Sequence, residues 1–250
     1  HALARLMADA EKPPSVASVL NPDQLPIGSN FIAVSPIRSA DQATRVCINS
    51  HQPWTGPVAW YEAHLISEEG QNIYGGLFPG SPVIFLGHNE NIAWGHTVNQ
   101  PDLVDVFKLE LNPENKNQYK VDGEWLGLER SLAPLEVRLW RDFRWTVNRE
   151  VLYSIYGPAM RVNDEVFAIR YAGIGEFRQI EQWYRMGRAQ NFDEFKDAMR
   201  IHALAMFNTG YGDRDGNIFY AYNALLPERA DGYDWRSEEH TSELQSRGHL

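Results

Sequence analysis

The sequence predicts a layered α+β domain on the basis of three observations. Short runs rich in β-branched and aromatic residues recur from 29 to 171 at roughly ten-residue spacing, which is typical of an antiparallel sheet. Helical periodicity is confined to 176–202. A further β-prone pair of runs, 205–211 and 218–224, follows the helical region. Many strands followed by packed helices indicate a domain in which helices cover a sheet.

The first part of the chain is predicted to be a linker followed by strands. Residues 10–26 are rich in Pro, Ser and Asp and lack periodicity, which is typical of an exposed loop. Asp122-Gly123 is a hairpin signal, and 87–89 is expected to form the turn before 91–98. The expected strands are 29–34, 45–49, 63–67, 82–86, 91–98, 104–109, 119–125, 135–139, 143–148 and 166–171.

The helical region is expected to contain two helices. Apolar residues around Trp183 recur at approximately the helical period. Asn191 and Glu194, three positions apart, form the capping box that begins a second helix. The polar run 213–217 is then expected to turn the chain between the last two strands, as a second hairpin.

Composition excludes several classes of protein. The 250 residues include 33 Asp and Glu against 23 Lys and Arg, for a net charge of −10. The basic residues are scattered, so nucleic acid is not an expected partner. Apolar runs such as 83–86 are far shorter than the roughly 20 residues that cross a bilayer, so we expect a soluble protein without a membrane partner. The single Cys47 lies in a run typical of a strand interior and cannot form an intramolecular disulfide.

Both ends of the chain have unusual sequences. The chain starts at His1 without the pattern of a signal peptide, so we expect any targeting segment to lie upstream. Residues 236–246 resemble the translation of a sequencing adapter, and we interpret 236–250 as an artefact outside the fold. This segment contains two Arg and three Glu, so its removal changes the net charge only from −10 to −9.

Residue types alone do not define a catalytic site. The sequence contains no Gly-x-Ser-x-Gly elbow and no glycine-rich phosphate loop. His64, His88 and His96 lack the i, i+4 spacing of a helical zinc site, so we interpret each as a hydrogen-bonded structural histidine. A metal hydrolase that uses His51, His64 and Asp105 stays open as an alternative.

Five short motifs indicate a family by their order and spacing. They are LPIGSNFIAV (25–34), NSHQPW (49–54), FPG (78–80), GHN (87–89) and WGHTVN (94–99). Together they resemble the penicillin acylase family of N-terminal nucleophile (Ntn) hydrolases, over residues 25–235. The resemblance implies the four-layer αββα sandwich of the Ntn hydrolases, incomplete in this chain, and an N-acyl amide hydrolase that acts on an N-acylated small molecule. A non-catalytic relative on the same fold is the other alternative.

The resemblance also implies self-cleavage. A family precursor cleaves itself into an α and a β chain, and the first β-chain residue is the nucleophile. The matching bond here joins Gly28 and Ser29, so 1–28 would be the end of the α chain or a spacer, and 29–235 the first part of the β chain. The α chain of the same precursor is then an expected partner, and a periplasmic or secreted location is implied.

Further catalytic roles follow from the same resemblance. A hydroxyl needs a base to become a nucleophile, and the freed α-amine of Ser29, with an ordinary pKa of about 8, would serve. His51 would orient that amine; the homoserine-lactone, lipopeptide and cephalosporin branches carry a histidine at this position. The backbone N–H of Val98 matches an oxyanion donor. The second family donor, an Asn, has no match before 236, so we expect the chain alone to be inactive.

Two more groups of residues match family positions. Ser50, Gln52, Phe85 and Leu86 match the acyl pocket, and Gln52 stands where the penicillin G branch has an aromatic ring, which argues against a phenylacetyl substrate. No cofactor is expected in the chemistry. Calcium ligands in the family, two carboxylates and a backbone carbonyl, are matched by Asp102, Val104 and Asp105. The alternative for these carboxylates is the capping of a strand.

Overall fold

The computed structural model describes residues 28–141 and 143–229, together with the backbone of 240–241. The expected linker at 10–26 lies outside the described residues. The contacts divide the chain into two compact units. We call the described residues of Asp23–Asp102 and Gly175–Leu226 the sandwich unit, and those of Leu103–Ile174 and Pro227–Leu250 the hairpin unit.

The described residues are mostly in strands. In chain order the strands are β1 (Gly28–Val34), β2 (Arg45–His51), β3 (Tyr61–Ile66), β4 (Asn72–Leu77), β5 (Leu86–His88), β6 (Ile92–Thr97), β7 (Val104–Leu109), β8 (Gln118–Val121), β9 (Glu124–Gly127), β10 (Glu129–Trp140), β11 (Phe143–Ser154), β12 (Gly157–Val162), β13 (Glu165–Tyr171), β14 (Asn208–Asp213), β15 (Ile218–Tyr222) and β16 (His240–Thr241). Helices α1 (Gln179–Arg188) and α2 (Phe192–Met199) lie between β13 and β14. No helix within the described ranges combines the length and the hydrophobicity needed to cross a membrane.

The sandwich unit is built on an antiparallel sheet with the order β15-β14-β6-β5-β4-β3. Helices α1 and α2 pack on one face of this sheet, and α2 begins at the expected capping box, where Glu194 N donates to Asn191 Oδ1 at 3.0 Å. Apolar side chains of both layers form the core: Ile73, Leu77, Ile84, Ile92, Trp94, Met186, Ala189, Phe195, Ala198, Leu204 and Tyr211. Burial of these side chains holds the helices on the sheet.

The opposite face of the sheet carries the antiparallel pair β1–β2. Three side chains of this pair pack on three glycines of β6 and β14: Phe31 on Gly210, Ile48 on Gly95 and Val46 on Gly212. A Cβ at Gly210 would come within 2.2 Å of the Phe31 ring, so only glycine leaves room for it. The sandwich unit therefore contains three successive layers, one of helices and two of strands.

The hairpin unit contains a second sheet with the order β10-β11-β12-β13-β7-β16 and a separate hairpin, β8–β9. β16, which falls in the segment interpreted as an artefact, pairs with β7 in parallel. Phe107 and Tyr156 stack with their ring centroids 4.9 Å apart, and Tyr119 Oη accepts a hydrogen bond from Ile155 N at 2.9 Å. These aromatic residues form the centre of the unit's own core.

The expected strands are confirmed at most positions, with the following differences. Only the last residue of the expected strand 82–86 is in a strand, because β5 begins at Leu86. Val83 and Ile84 are buried outside any strand, and Phe85 N donates to Gly76 O outside the β4–β5 ladder. The expected turn at 87–89 is shorter, because Gly87 and His88 belong to β5. β4 and β12 were not expected. The run 119–125 is not one strand, because the expected hairpin turn at 122 and 123, both with positive φ, divides it into β8 and β9.

Candidate active site

Ser29 lies near the start of β1, with its hydroxyl against the peptide bond that precedes it. Ser29 Oγ donates a hydrogen bond of 2.5 Å to the carbonyl oxygen of Gly28. Since a C=O bond measures about 1.23 Å, the carbonyl carbon of Gly28 lies within about 3.7 Å of Oγ. Cross-strand pairs of Gly28 with His51 and of Ser29 with Ser50 fix both residues in extended backbone. The strand pair thus holds a hydroxyl beside a carbonyl group.

His51 lies on the other face of the strand pair, beside Gly28. Its Nδ1 is 3.1 Å from the position that a Cβ on Gly28 would take. Its Nε2 lies 3.3 Å from Asn30 Nδ2 and 3.4 Å from Asn49 Nδ2. An amide nitrogen only donates, so both asparagines face Nε2 with donors. These contacts leave Nδ1 as the ring nitrogen on the side of Gly28.

Val98 leaves the sheet at the end of β6 that the start of β1 covers. Ile48 of β2 packs on Gly95 of β6. Val46 of β2 packs on Gly212, whose partner in β6 is Ala93. β2 and β6 therefore run in the same direction at this contact, and Ser50 falls at the level of Thr97. The fold brings Val98, the next residue, to the same end of the sandwich unit as the serine hydroxyl of β1.

The residues expected to line an acyl pocket lie in two places. Ser50 is the cross-strand partner of Ser29, on the face that is turned to the six-stranded sheet. Gln52 follows β2, and its Oε1 is buried without a hydrogen-bond partner among the described residues. Leu86 is instead the first residue of β5, and Phe85 directly precedes it. The expected pocket residues are therefore divided between the β1–β2 pair and the six-stranded sheet of the sandwich unit.

Phe85 belongs to an aromatic cluster that sequence reasoning missed. Its ring centroid lies 4.3 Å from that of Trp183 in α1 and 5.4 Å from that of Phe78. Trp60 stacks on Phe78 at 4.5 Å and, with Leu86, borders the bare backbone of β4. The Trp60 Nε1 donor is buried without a partner in the described part of the chain. The cluster offers an apolar surface with one unused hydrogen-bond donor.

His96 is confirmed as a structural histidine. Trp183 Nε1 donates to His96 Nε2 at 3.1 Å, so the ring carries its proton on Nδ1, which faces Thr209 Oγ1 at 3.2 Å. Burial lowers the pKa of His96 to about 4, although a hydrogen bond with the backbone of Asn208 acts in the opposite direction. The lone pair of this neutral imidazole is already used, so His96 is not a candidate base.

The expected calcium ligands include one buried ion pair. Arg229 Nη2 and Nε lie 3.0 and 3.1 Å from Asp105 Oδ1, and Nε also lies 3.3 Å from Oδ2. Asp102 is exposed at the surface. Calcium takes six to eight oxygen ligands, and here the guanidinium faces both carboxylate oxygens of Asp105, so these residues do not fit calcium as arranged. Calcium binding stays a prediction, and no chemical step is derived from it.

The alternative metal site has no support in the geometry. Within the described ranges, no group of three or more His, Cys, Asp or Glu side chains is placed to hold a metal ion. His64 Nε2 lies 2.7 Å from Asn72 Oδ1, and His51 contacts its two asparagines. Both histidines therefore have local partners.

The chain resembles known acylases over most of its length. It is 29% identical over 208 residues to the acyl-homoserine lactone acylase PvdQ of Pseudomonas fluorescens (strain Pf0-1), with 80% of this chain and 27% of the relative covered. Aculeacin-A acylase of Actinoplanes utahensis is 26% identical over 221 residues (85% and 28% covered). Penicillin G acylase of Escherichia coli is 26% identical over 212 residues (84% and 25% covered). The chain spans about a quarter of the length of these relatives.

The fold of the chain also resembles that of a known acylase. A thermostable penicillin G acylase from Alcaligenes faecalis superimposes with a TM-score of 0.74 and 25% sequence identity, covering 87% of this chain and 38% of that one. This match identifies the fold as a part of the Ntn-hydrolase fold, as the motifs predicted. The family model for penicillin amidase matches residues 1–247. The chain therefore belongs to the penicillin amidase family.

Proposed function

We propose that this chain carries the nucleophile of an N-acyl amide hydrolase, namely Ser29 after cleavage of its bond to Gly28. The observation that carries the proposal is the 2.5 Å hydrogen bond from Ser29 Oγ to the carbonyl oxygen of the preceding residue. Membership of the penicillin amidase family, and relatives that are named as acylases, support the reaction class.

Maturation begins with attack by Ser29 Oγ on the carbonyl carbon of Gly28. The C–N bond breaks, the nitrogen takes the proton that Oγ gives up, and an ester joins Gly28 to Oγ. Water then hydrolyses the ester, which leaves a carboxylate on Gly28 and a free α-amine on Ser29. In this proposal His51, whose Nδ1 lies beside Gly28, contacts and orients the new amine.

Turnover uses the α-amine as the base. The amine accepts the proton of Ser29 Oγ, and Oγ attacks the carbonyl carbon of the substrate amide. The negative charge that develops on the carbonyl oxygen is stabilised by the backbone N–H of Val98. The amine product leaves with a proton, and water hydrolyses the acyl ester to regenerate the hydroxyl.

The proposed substrates are small molecules that carry a fatty acyl group on nitrogen, such as acyl-homoserine lactones. The cluster of Trp60, Phe78, Phe85 and Trp183 supplies apolar surface for the acyl chain, and pockets of this kind combine such surface with few polar groups. Gln52, in place of an aromatic ring, disfavours a stacked phenylacetyl group. The acylase PvdQ is among the relatives that match the chain.

The partner and location are proposals as well. The α chain of the same precursor would complete the heterodimer after processing, and the location would be periplasmic or secreted. A structural calcium ion at Asp102, Val104 and Asp105 would require Arg229 to release the carboxylate of Asp105.

The test compares the complete precursor that contains this chain with its Ser29→Ala variant. We expect the precursor to hydrolyse a fatty acyl-homoserine lactone faster than a phenylacetyl amide, and the variant to hydrolyse neither. Hydrolysis at the same rate by the variant would exclude Ser29 as the nucleophile. Ligand binding without any turnover by the precursor would favour the alternative of a non-catalytic relative.

A further inference from the structure

Val98 lies beyond the last paired residue of β6, so the sheet ladder does not hold it. The last pair of this ladder is Thr97 with Asn208 of β14. An N–H that stabilises an oxyanion must be oriented before the reaction, because reorientation during the reaction would cost part of the stabilisation. The neighbours of Val98 show what fixes its backbone.

The side chain of Asn208 contacts Thr97, the residue before Val98, and the carbonyl group of Val98 itself. Asn208 Nδ2 donates to Thr97 Oγ1 at 2.9 Å and lies 3.5 Å from Val98 O. Tyr220 Oη donates to Asn208 Oδ1 at 2.8 Å, so the oxygen end of the amide is bonded as well. The side chains of Asn208 and Thr97 share the sheet face that carries Phe31, so they are turned to the β1 layer.

The residue before Asn208 holds the C-terminal side of Val98. Phe207 N donates to Asn99 Oδ1 at 2.8 Å. Phe207 has φ 93°, a left-handed conformation that is unusual for a bulky residue and is kept only where the surroundings impose it. Asn99 also donates through Nδ2 to Asn223 O at 3.0 Å. Phe207 and Asn208 therefore form hydrogen bonds with Asn99 and Thr97, the two neighbours of Val98.

We infer that Asn208 is a positioning residue, which holds the Val98 peptide in the orientation that an oxyanion requires. The inference rests on the proposed function, since it takes the N–H of Val98 as the oxyanion donor. Asn208 itself does not touch the reacting atoms. Asn208 acts through Thr97 and Val98, and the hydrogen bond from Tyr220 Oη holds its amide oxygen.

The kinetic test uses Asn208→Ala in the complete precursor, with Asn217→Ala as the matched control. Asn217 also carries a bonded side-chain amide, at the other end of the same β14–β15 hairpin. We expect Asn208→Ala to lower kcat about 10- to 100-fold with KM nearly unchanged, because displacement of a catalytic group acts on the transition state. Tyr220→Phe should lower kcat less, because the amide remains. Affinity for an alkylboronic acid, which mimics the tetrahedral adduct, should fall with kcat.

Hydrogen exchange separates this inference from the proposed function. In Asn208→Ala, a peptic fragment that contains Val98 and Asn99 should exchange at least about tenfold faster than in Asn217→Ala. Equal exchange in the two variants, or equal kcat, would overturn the positioning role. Activity that survives Ser29→Ala would instead exclude the proposed function, and the exchange result would then decide alone whether Asn208 fixes the Val98 peptide.

Discussion

At the scale of single residues, Gly28 places the most direct constraint on the proposed cleavage. A Cβ there would lie 3.1 Å from Nδ1 of the exposed His51 ring, a contact that a small movement of the ring relieves. We expect Gly28→Ala to be cleaved at nearly the normal rate. Gly28→Val adds two more carbons in the same space and should slow cleavage at least about tenfold, because the carbonyl group is displaced from Ser29 Oγ.

The measurement for this prediction is the half-time of precursor disappearance on denaturing gels. Gly127→Val is the control, since a Cβ at Gly127 meets nothing within 4 Å. Cleavage of Gly28→Val as fast as the control would show that space beside His51 does not limit maturation.

The buried His96 is expected to make the stability of the protein depend on pH. Its pKa is lowered by burial from 6.5 to about 4, so the unfolded state binds more protons between these values. The contribution of His96 to the free energy of unfolding is fully present above about pH 6.5 and is lost as the pH falls through about 4. The loss amounts to about 3 kcal/mol between pH 7 and pH 4. His96→Gln cannot titrate, so its urea unfolding midpoint should fall less over this interval. An equal fall in both proteins would contradict the assignment of a buried neutral histidine.

At the scale of elements, the contact between β1–β2 and the large sheet determines where Ser29 lies. Three atoms of the Phe31 ring lie 2.2 to 2.4 Å from the position of a Cβ on Gly210. We expect Gly210→Ala to destabilise the protein by about 1–3 kcal/mol and to slow cleavage, because Phe31 must move and Ser29 lies two residues before it.

A double-mutant cycle checks this contact. In the Phe31→Ala background the added methyl group has space, so Gly210→Ala should cost less there than in the wild type when thermal unfolding is measured. Additive effects of the two substitutions would mean that the Phe31 ring does not lie on Gly210.

Sequence patterns predict the paired strands well and the glycine-rich strand poorly. The β-prone residues of 29–34 and 45–49 are sufficient to predict β1 and β2. β4 was missed because Gly75 and Gly76 lower its apparent strand propensity. Gly75 is needed there because its Cβ would come within 2.1 Å of Leu86 O, a close approach that no local pattern reveals.

The site shows the same division. The motifs identify Ser29, His51 and Val98 by resemblance to a family. They do not reveal Asn208, which lies 110 residues after Val98 in sequence and reaches it only through the pairing of β14 with β6. Such partners depend on tertiary contacts that have no local signature.

At the scale of the whole molecule, the ion pair in the hairpin unit leads to a prediction about metal binding. Arg229 and a calcium ion would compete for the carboxylate of the buried Asp105. Arg229→Met removes this competitor and leaves the carboxylate without its guanidinium, so we expect the variant to be less stable than the wild type and to bind calcium more tightly. Thermal unfolding with calcium and with a chelator measures both effects. A variant whose unfolding temperature does not respond to calcium would exclude a calcium site at Asp102, Val104 and Asp105.

We propose that the Ser29 hydroxyl cleaves the bond between Gly28 and Ser29. Mass spectrometry of the chains formed from the complete precursor tests this proposal. We expect a chain whose N-terminal residue is Ser29, and a Ser29→Ala precursor that stays in one piece because it has no Oγ to attack the carbonyl carbon. A new N-terminus at any other residue, or cleavage of Ser29→Ala at the same bond, would contradict it.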